Sequence, residues 1–345
     1  MGEGEVAERW AYGGDSMAAR GYVRKGSRRN TDIGTKVSEF TGGKIKFDNY
    51  GKSGDTTGGM LGRYRTGPNK KREDRVGQML EGDYDGIIIE VGVNDISARG
   101  GGSRKHWKKV LGRMRGNIVE MYVRAFIKGA GTGNRAEVLG KIDSAIRELE
   151  KKQGDIGDAL GSGRAKRRGE AYTSRLEMTR EDIKEKISIL EDAREAYLKH
   201  ARDGKPPGKK VGRIVFVEGA PWKGHPGWER KEGLRTLEYN RMLKVMGFEL
   251  NKVFGELEGP TFEVAEIYDA LVSKDGMQMQ EKYAGQKRGG KDYLHFGEEG
   301  REVAAAVIAS GHFPNHVEDR VKVGALAKGE THGQKQKSQR MLAVR

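Results

Sequence analysis

Five short apolar runs punctuate the chain, at residues 6–12 (VAERWAY), 44–49 (KIKFDN), 86–92 (GIIIEVG), 212–218 (GRIVFVE) and 261–268 (TFEVAEIY). Their length and their β-branched and aromatic content predict strands. The third and fourth are continuous rather than alternating, which is the pattern of strands buried on both faces. The stretches between them follow a different period. Over residues 103–128, Trp107, Leu111, Met114, Ile118, Met121 and Ala125 fall on one helical stripe, with Lys108, Lys109, Arg113 and Arg115 mostly off it. Residues 234–255 and 297–310 also read as helices. Strands alternating with helices predict an α/β domain whose central five-stranded parallel sheet is wound on both sides.

Residues 134–203 break that rhythm. Val138, Ile142, Ala145 and Leu149 recur at spacings of 4, 3 and 4, and Ile183, Ile187, Leu190 and Tyr197 form a second stripe. The glycine-rich stretch GDIGDALGSGRAKRRGE stands between them. The pattern predicts an antiparallel helical hairpin inserted in the crossover before the fourth strand, serving as a scaffold or self-association element, or as an arm that grips a partner. The expected organisation is a core over 1–130, the insertion over 131–208, the rest of the core over 209–315, and a tail over 316–345. The tail holds seven basic residues against three acidic ones, so a solvated, disordered segment is expected there.

Composition narrows the function classes. Only 35% of the 345 residues are hydrophobic and the mean hydropathy is -0.76, so the core is modest and the periphery polar. The 53 glycines point to many tight turns. A net charge of +15 favours anionic partners: nucleic acid, lipid head groups or acidic polysaccharide. There is no cysteine, which excludes disulfides and thiolate metal sites. The first ten residues lack the basic and apolar regions of a signal peptide, and Val6 stands where myristoylation needs Ser or Thr. No apolar run is long enough to span a membrane. A cytoplasmic location is expected on that ground, with unconventional export or carriage in a virus particle left open.

Four stretches beside predicted strands carry candidate chemistry: GGDSM after the first, YGKSGDTT after the second, VGVND at the end of the third, and KDYLHFGEEG before the last helix. In an open parallel sheet, ligands bind at the carboxyl ends of the strands, so loops there bring Ser16, Gly54, Asn94 and His295 to one edge. Taken singly each has a plain reading. Ser16 or Asp15 could cap the next helix, Gly54 could be a turn glycine with Gly51 as its rival, Asn94 and Asp95 could form a strand-end turn, and His295 could be a surface histidine. Other motifs fail. Lys46 occupies the first glycine position of a P-loop, Asn134 the last glycine of a dinucleotide fingerprint, and Ala18 the second glycine of a G-x-S-x-G elbow. No His, Asp and Glu cluster has metal-ligand spacing.

In this order and context the four stretches resemble the blocks of the SGNH or GDSL-type hydrolases. GDSL appears as GDSM, SGDT is intact over Ser53 to Thr56, GxND is Gly92 to Asp95, and DxxH is Asp292 to His295. The similarity runs from residue 12 to about 309, apart from the hairpin. It implies a flavodoxin-like three-layer α/β/α sandwich and ester hydrolysis with no metal or other cofactor. It further implies Ser16 as nucleophile, His295 as general base and acid, and Asp292 holding the imidazole. An oxyanion hole would come from the Ser16 and Gly54 backbone N–H groups and the Asn94 amide. Asp95 is expected to bond nearby backbone rather than take part in chemistry. His225, in PWKGHPGW, is a candidate substrate contact. The expected substrate is a carboxylic ester, an O-acetyl or short acyl group on a carbohydrate ahead of a lipid ester. The competing expectation is a binding or structural protein on the same fold, its hairpin and tail holding nucleic acid or an assembly partner.

Overall fold

A computed structural model describes residues 7–15, 18, 32–63, 72–99, 103–131, 134–162, 167–201, 208–221, 229–272, 279–287 and 290–328, with backbone alone for 98–99, 229–232, 285–287 and 290–295. Five strands form one sheet in the order β2-β1-β3-β4-β5: β1 Glu8–Gly14, β2 Ile45–Asn49, β3 Gly86–Glu90, β4 Arg213–Val217 and β5 Thr261–Ala265. β1 pairs in parallel with β2 and with β3, and β3 with β4. β5 runs the same way, since Thr261 N–H meets the Gly212 carbonyl at one end and Glu218 N–H the Ala265 carbonyl at the other. This is the flavodoxin-like strand order. All five expected strands are present. β3 is buried throughout while the edge strands β2 and β5 are half exposed, as the continuous and broken apolar runs require.

β1 runs two residues past the expected end. Gly13 and Gly14 pair with Ile89 and Glu90 instead of turning away, because their missing side chains are what the sheet needs. A Cβ on Gly13 would stand 2.8 Å from the Met79 sulfur, and one on Gly14 would collide with the Glu90 carbonyl.

Helices cover both faces. Trp10, Tyr12, Ile88, Val215 and Val217 share a core with α1 (Ile33–Phe40) and α10 (Glu298–His312). On the other face, Met60 of α2 (Thr57–Met60) and Met79 of α3 (Arg75–Glu81) close on Gly13. Helices α4 (Val93–Arg99), α5 (Arg104–Ala130) and α8 (Glu229–Phe254) lie in the crossovers, and α9 (Tyr268–Leu271) follows β5. The three-layer sandwich is therefore built as expected. Residues 284–287 (β6) and 290–296 (β7) add a separate antiparallel pair that the sequence pattern does not predict.

The chain divides into two compact units, 1–114 with 213–241 and 263–345, and 115–212 with 242–262. The second unit holds the hairpin, α6 (Arg135–Gly161) against α7 (Glu170–His200). Val138, Ile142 and Leu149 are buried as the stripe predicts, whereas Ala145 and Ile187 are only half-buried and Ile189, Ala193 and Ala196 take part instead. Tyr122, Phe126, Phe254 and Phe262 form an aromatic cluster with ring centroids 4.8–5.7 Å apart. The two helices are separated within the second half of the glycine-rich stretch, after Gly161 and before Glu170, whereas its first half is helical. α6 continues through Gly154 and Gly157, because Gln153, Ile156 and Leu160 keep the stripe of Leu149 and stay half-buried.

The segment from 316 also departs from expectation. Residues 320–327 form α11 (Arg320–Ala327), capped by Asp319 accepting from Lys322 N–H at 2.8 Å and anchored by buried Val323. Residues 329–345 lie outside the described residues.

Candidate active site

The carboxyl ends of β1 and β3 are the switch point of this strand order, where crossovers leave for opposite faces of the sheet. Three loops meet there. Asp15, just past β1, is buried and donates its N–H to the Glu90 carbonyl at 3.1 Å. The loop after β2 extends the pairing with β1, through Tyr50 N–H to the Tyr12 carbonyl at 2.7 Å and Lys52 N–H to the Gly14 carbonyl at 2.9 Å. Asn49 then reaches back, its Nδ2 donating to the Ala18 carbonyl at 2.8 Å. Asp15 and Ala18 are thus each tied to a neighbouring strand end or loop.

The second loop is rigidly built. Lys52 pairs with Glu73 at 2.8 Å, and Arg75 forms a buried ion pair with Asp55. Burial pushes the Arg75 guanidinium down to about 10. Gly54 takes a φ of +80°, which favours glycine, and a Cβ there would meet nothing within 4 Å. It is exposed, and no described residue accepts from its N–H. Its rival Gly51 has its N–H taken by Asn49 Oδ1 at 2.8 Å. Of the two glycines, Gly54 is the one whose N–H has no acceptor among the described residues.

After β3, the Tyr239 hydroxyl donates to the Val91 carbonyl at 2.6 Å, and Gly92 turns with a φ of +120° beneath the same ring. Asn94 opens α4, its Nδ2 donating to the Asp55 carbonyl at 2.8 Å. One amide hydrogen is thereby used and the side chain is fixed against the second loop, leaving the other hydrogen available. Asp95 does what was expected of it. Its buried carboxylate accepts from Thr57 N–H at 2.8 Å and from the Thr57 hydroxyl at 3.2 Å.

Beneath these loops lies a polar cluster. The Tyr12 hydroxyl donates to Glu90 Oε2 at 2.6 Å, both residues being buried. Burial pushes the Glu90 carboxyl up to about 7 against the opposing pull of the Tyr12 hydrogen bond and of Arg301. Burial, with Glu90 second, raises Tyr12 well above the usual phenol range. Arg301, lowered by burial, feels Glu90, Glu298 and Asp32. Asp32 caps α1 by accepting from Thr35 N–H at 2.8 Å. Glu90 at the end of β3 thus shares its electrostatic surroundings with the first turns of α1 and α10.

The predicted site residues are distributed as follows. Gly54, in the second loop, and Asn94, in the first turn of α4, are brought near each other by the Asn94–Asp55 bond. Ser16 and His225 lie outside the described residues. Asp292 and His295 lie on β7, not in the loop expected, with Asp292 opposite Gly285 in the register. Their side chains are also outside the description. β7 leads directly into α10, with Gly297 N–H bonded to the Tyr283 carbonyl at 2.8 Å. Among the described residues no group of three or more His, Asp or Glu is arranged to hold a metal ion.

Neither a family model nor a curated protein matches this sequence. Several solved structures are similar to it. An aryl esterase from M. smegmatis is 14% identical, covering 88% of this chain and 98% of its own at a TM-score of 0.42. A carbohydrate acetylesterase from Sinorhizobium meliloti is 12% identical, covering 88% and 97% at 0.42. A GDSL-like lipase from Bacteroides thetaiotaomicron is 12% identical, covering 88% and 87% at 0.39. The fold assigned above rests on strand order and register in this chain.

Sequence reasoning missed the polar residues that hold the site. Glu90 carried a signal, as the one charge in an otherwise apolar strand. Asn49 and Arg301 carried none, since their partners at Ala18 and Glu90 are distant in sequence.

Proposed function

We propose that the chain is a serine ester hydrolase of the SGNH or GDSL type. The observation that carries the reading is the Asn94–Asp55 bond, which draws the third and second blocks together at the switch point of a 2-1-3-4-5 sheet. Ser16 attacks the ester carbonyl while His295 takes its proton, with Asp292 holding the imidazole. The oxyanion is received by the Gly54 N–H, the free hydrogen of Asn94 Nδ2 and the Ser16 N–H. Collapse expels the alcohol, protonated by His295, and leaves an acyl group on Ser16. Water activated by His295 then releases the acid. The substrate is a carboxylic ester, either an O-acetyl or short acyl group on a carbohydrate or a lipid ester, with His225 a contact at the rim.

A fluorophosphonate probe tests this. Wild type is expected to be labelled, and Ser16→Ala and His295→Ala are not, with p-nitrophenyl acetate hydrolysis lost in parallel. Labelling that persists in Ser16→Ala would refute the assignment.

A further inference from the structure

Helix α8 joins two parallel strands, so it starts at the carboxyl edge of the sheet and returns to the other. Tyr239 bonded to Val91, and Asn240 bonded to Gly219 in both directions at 2.8 and 3.1 Å, fix where it crosses that edge. At a rise of roughly 1.5 Å per residue, Leu237 and Leu234 stand beyond the edge, on the side of the candidate site. They are 39% and 50% exposed, one turn apart on the same face.

The first turns of α5 lie beside them. Trp107 Nε1 donates to Glu238, Arg104 pairs with Glu238 at 3.5 Å, and Arg235 stacks over the Trp107 ring at 5.4 Å. Trp107, Val110 and Met114 are buried, so the opposite face of α5 points outward. That face carries Lys105, Lys108, Lys109 and Arg113, all exposed and without an ion-pair partner among the described residues. The first turn holds no acid to balance them, although cations there oppose the helix dipole. The Glu238 seam therefore separates a pair of bare leucines from a stripe of bare cations.

We infer that this two-helix face docks on an anionic lipid surface, setting the candidate site against the bilayer. The cations complement acidic head groups, and the leucines gain only from a partner that offers apolar contact. Nucleic acid is the poorer fit, since its single-stranded forms reward exposed aromatic rings and the exposed apolar residues of this face are leucines. The inference concerns binding and does not depend on the esterase reading.

The full chain should co-sediment with phosphatidylcholine–phosphatidylglycerol vesicles and not with phosphatidylcholine alone. A cation near such a surface changes partitioning by roughly fivefold, so K105Q/K109Q should bind about 25-fold more weakly. L234S/L237S should bind about tenfold more weakly. Both variants should keep wild-type circular dichroism and fluorophosphonate labelling, which separates loss of docking from loss of the active site. Failure of wild type to sediment with the anionic vesicles would overturn the inference. So would undiminished binding by K105Q/K109Q, which would point to another basic segment. Undiminished binding by L234S/L237S, with heparin or DNA competing equally, would overturn it in favour of a soluble polyanion.

Discussion

Asn94 and Asp95 are neighbours with opposite duties. Asn94 spends one amide hydrogen on the Asp55 carbonyl and keeps one to give. Asp95 spends its carboxylate on Thr57. In an esterase, Asn94→Ala should lower kcat by about 10²–10³ with little change in KM, the cost of one oxyanion donor. Asp95→Ala leaves the buried Thr57 N–H without its acceptor, and should cost about 1–3 kcal/mol of stability. Steady-state kinetics and thermal melts on the two variants separate the roles. Equal kinetic losses matched by equal melting shifts would mean that Asn94 is structural too. The sequence already divides this pair, Asn94 to an oxyanion by resemblance and Asp95 to nearby backbone, but does not name the backbone that each side chain reaches, because Asp55 and Thr57 are distant in sequence.

At the scale of elements, glycine is the residue whose meaning changes most with context. Gly92 turns with a φ of +120° and a Cβ would come within 2.8 Å of the Tyr239 ring. Gly154 and Gly157 lie inside α6, where a Cβ would meet nothing within 4 Å. Gly154→Ala and Gly157→Ala should each stabilise the chain by about 1 kcal/mol, whereas Gly92→Ala should destabilise it. Urea midpoints measure all three, and a loss of stability in the two helix variants would refute the account of α6. The same contrast explains what was legible. The five strands were, because buried strands must be apolar runs. The ends of β1 and α6 were not, since Gly13, Gly14, Gly154 and Gly157 look like stops until their surroundings are known. The β6–β7 pair was hidden because GKDYLHF lacks a clear alternation, and α11 because its anchor is a single valine in a basic segment.

Over the whole molecule, Glu90 couples folding to pH. Its carboxyl faces the Tyr12 hydroxyl from β1 and Arg301 from α10, and also acts on Tyr239 from α8. Asp32 at the start of α1 shares Arg301 with it, and Asp15 acts on Tyr12 and Tyr239 from the end of β1. Burial raises its pKa from 4.5 to about 7 in the folded state. Between those values the native chain holds a proton that the unfolded chain has released. Unfolding therefore releases a proton, and stability falls as pH rises. The contribution is complete below pH 4.5 and is lost as pH climbs through 7, a swing of about 3 kcal/mol. Glu90→Gln keeps an acceptor for Tyr12 and cannot ionise, so it should remove that swing. Between pH 5 and pH 8 the unfolding free energy of wild type, measured by urea titration, should fall, and that of the variant should fall by about 2.5 kcal/mol less. Identical slopes in the two proteins would mean that Glu90 titrates in the folded chain as it does in the unfolded one, with Arg301 offsetting its burial in full.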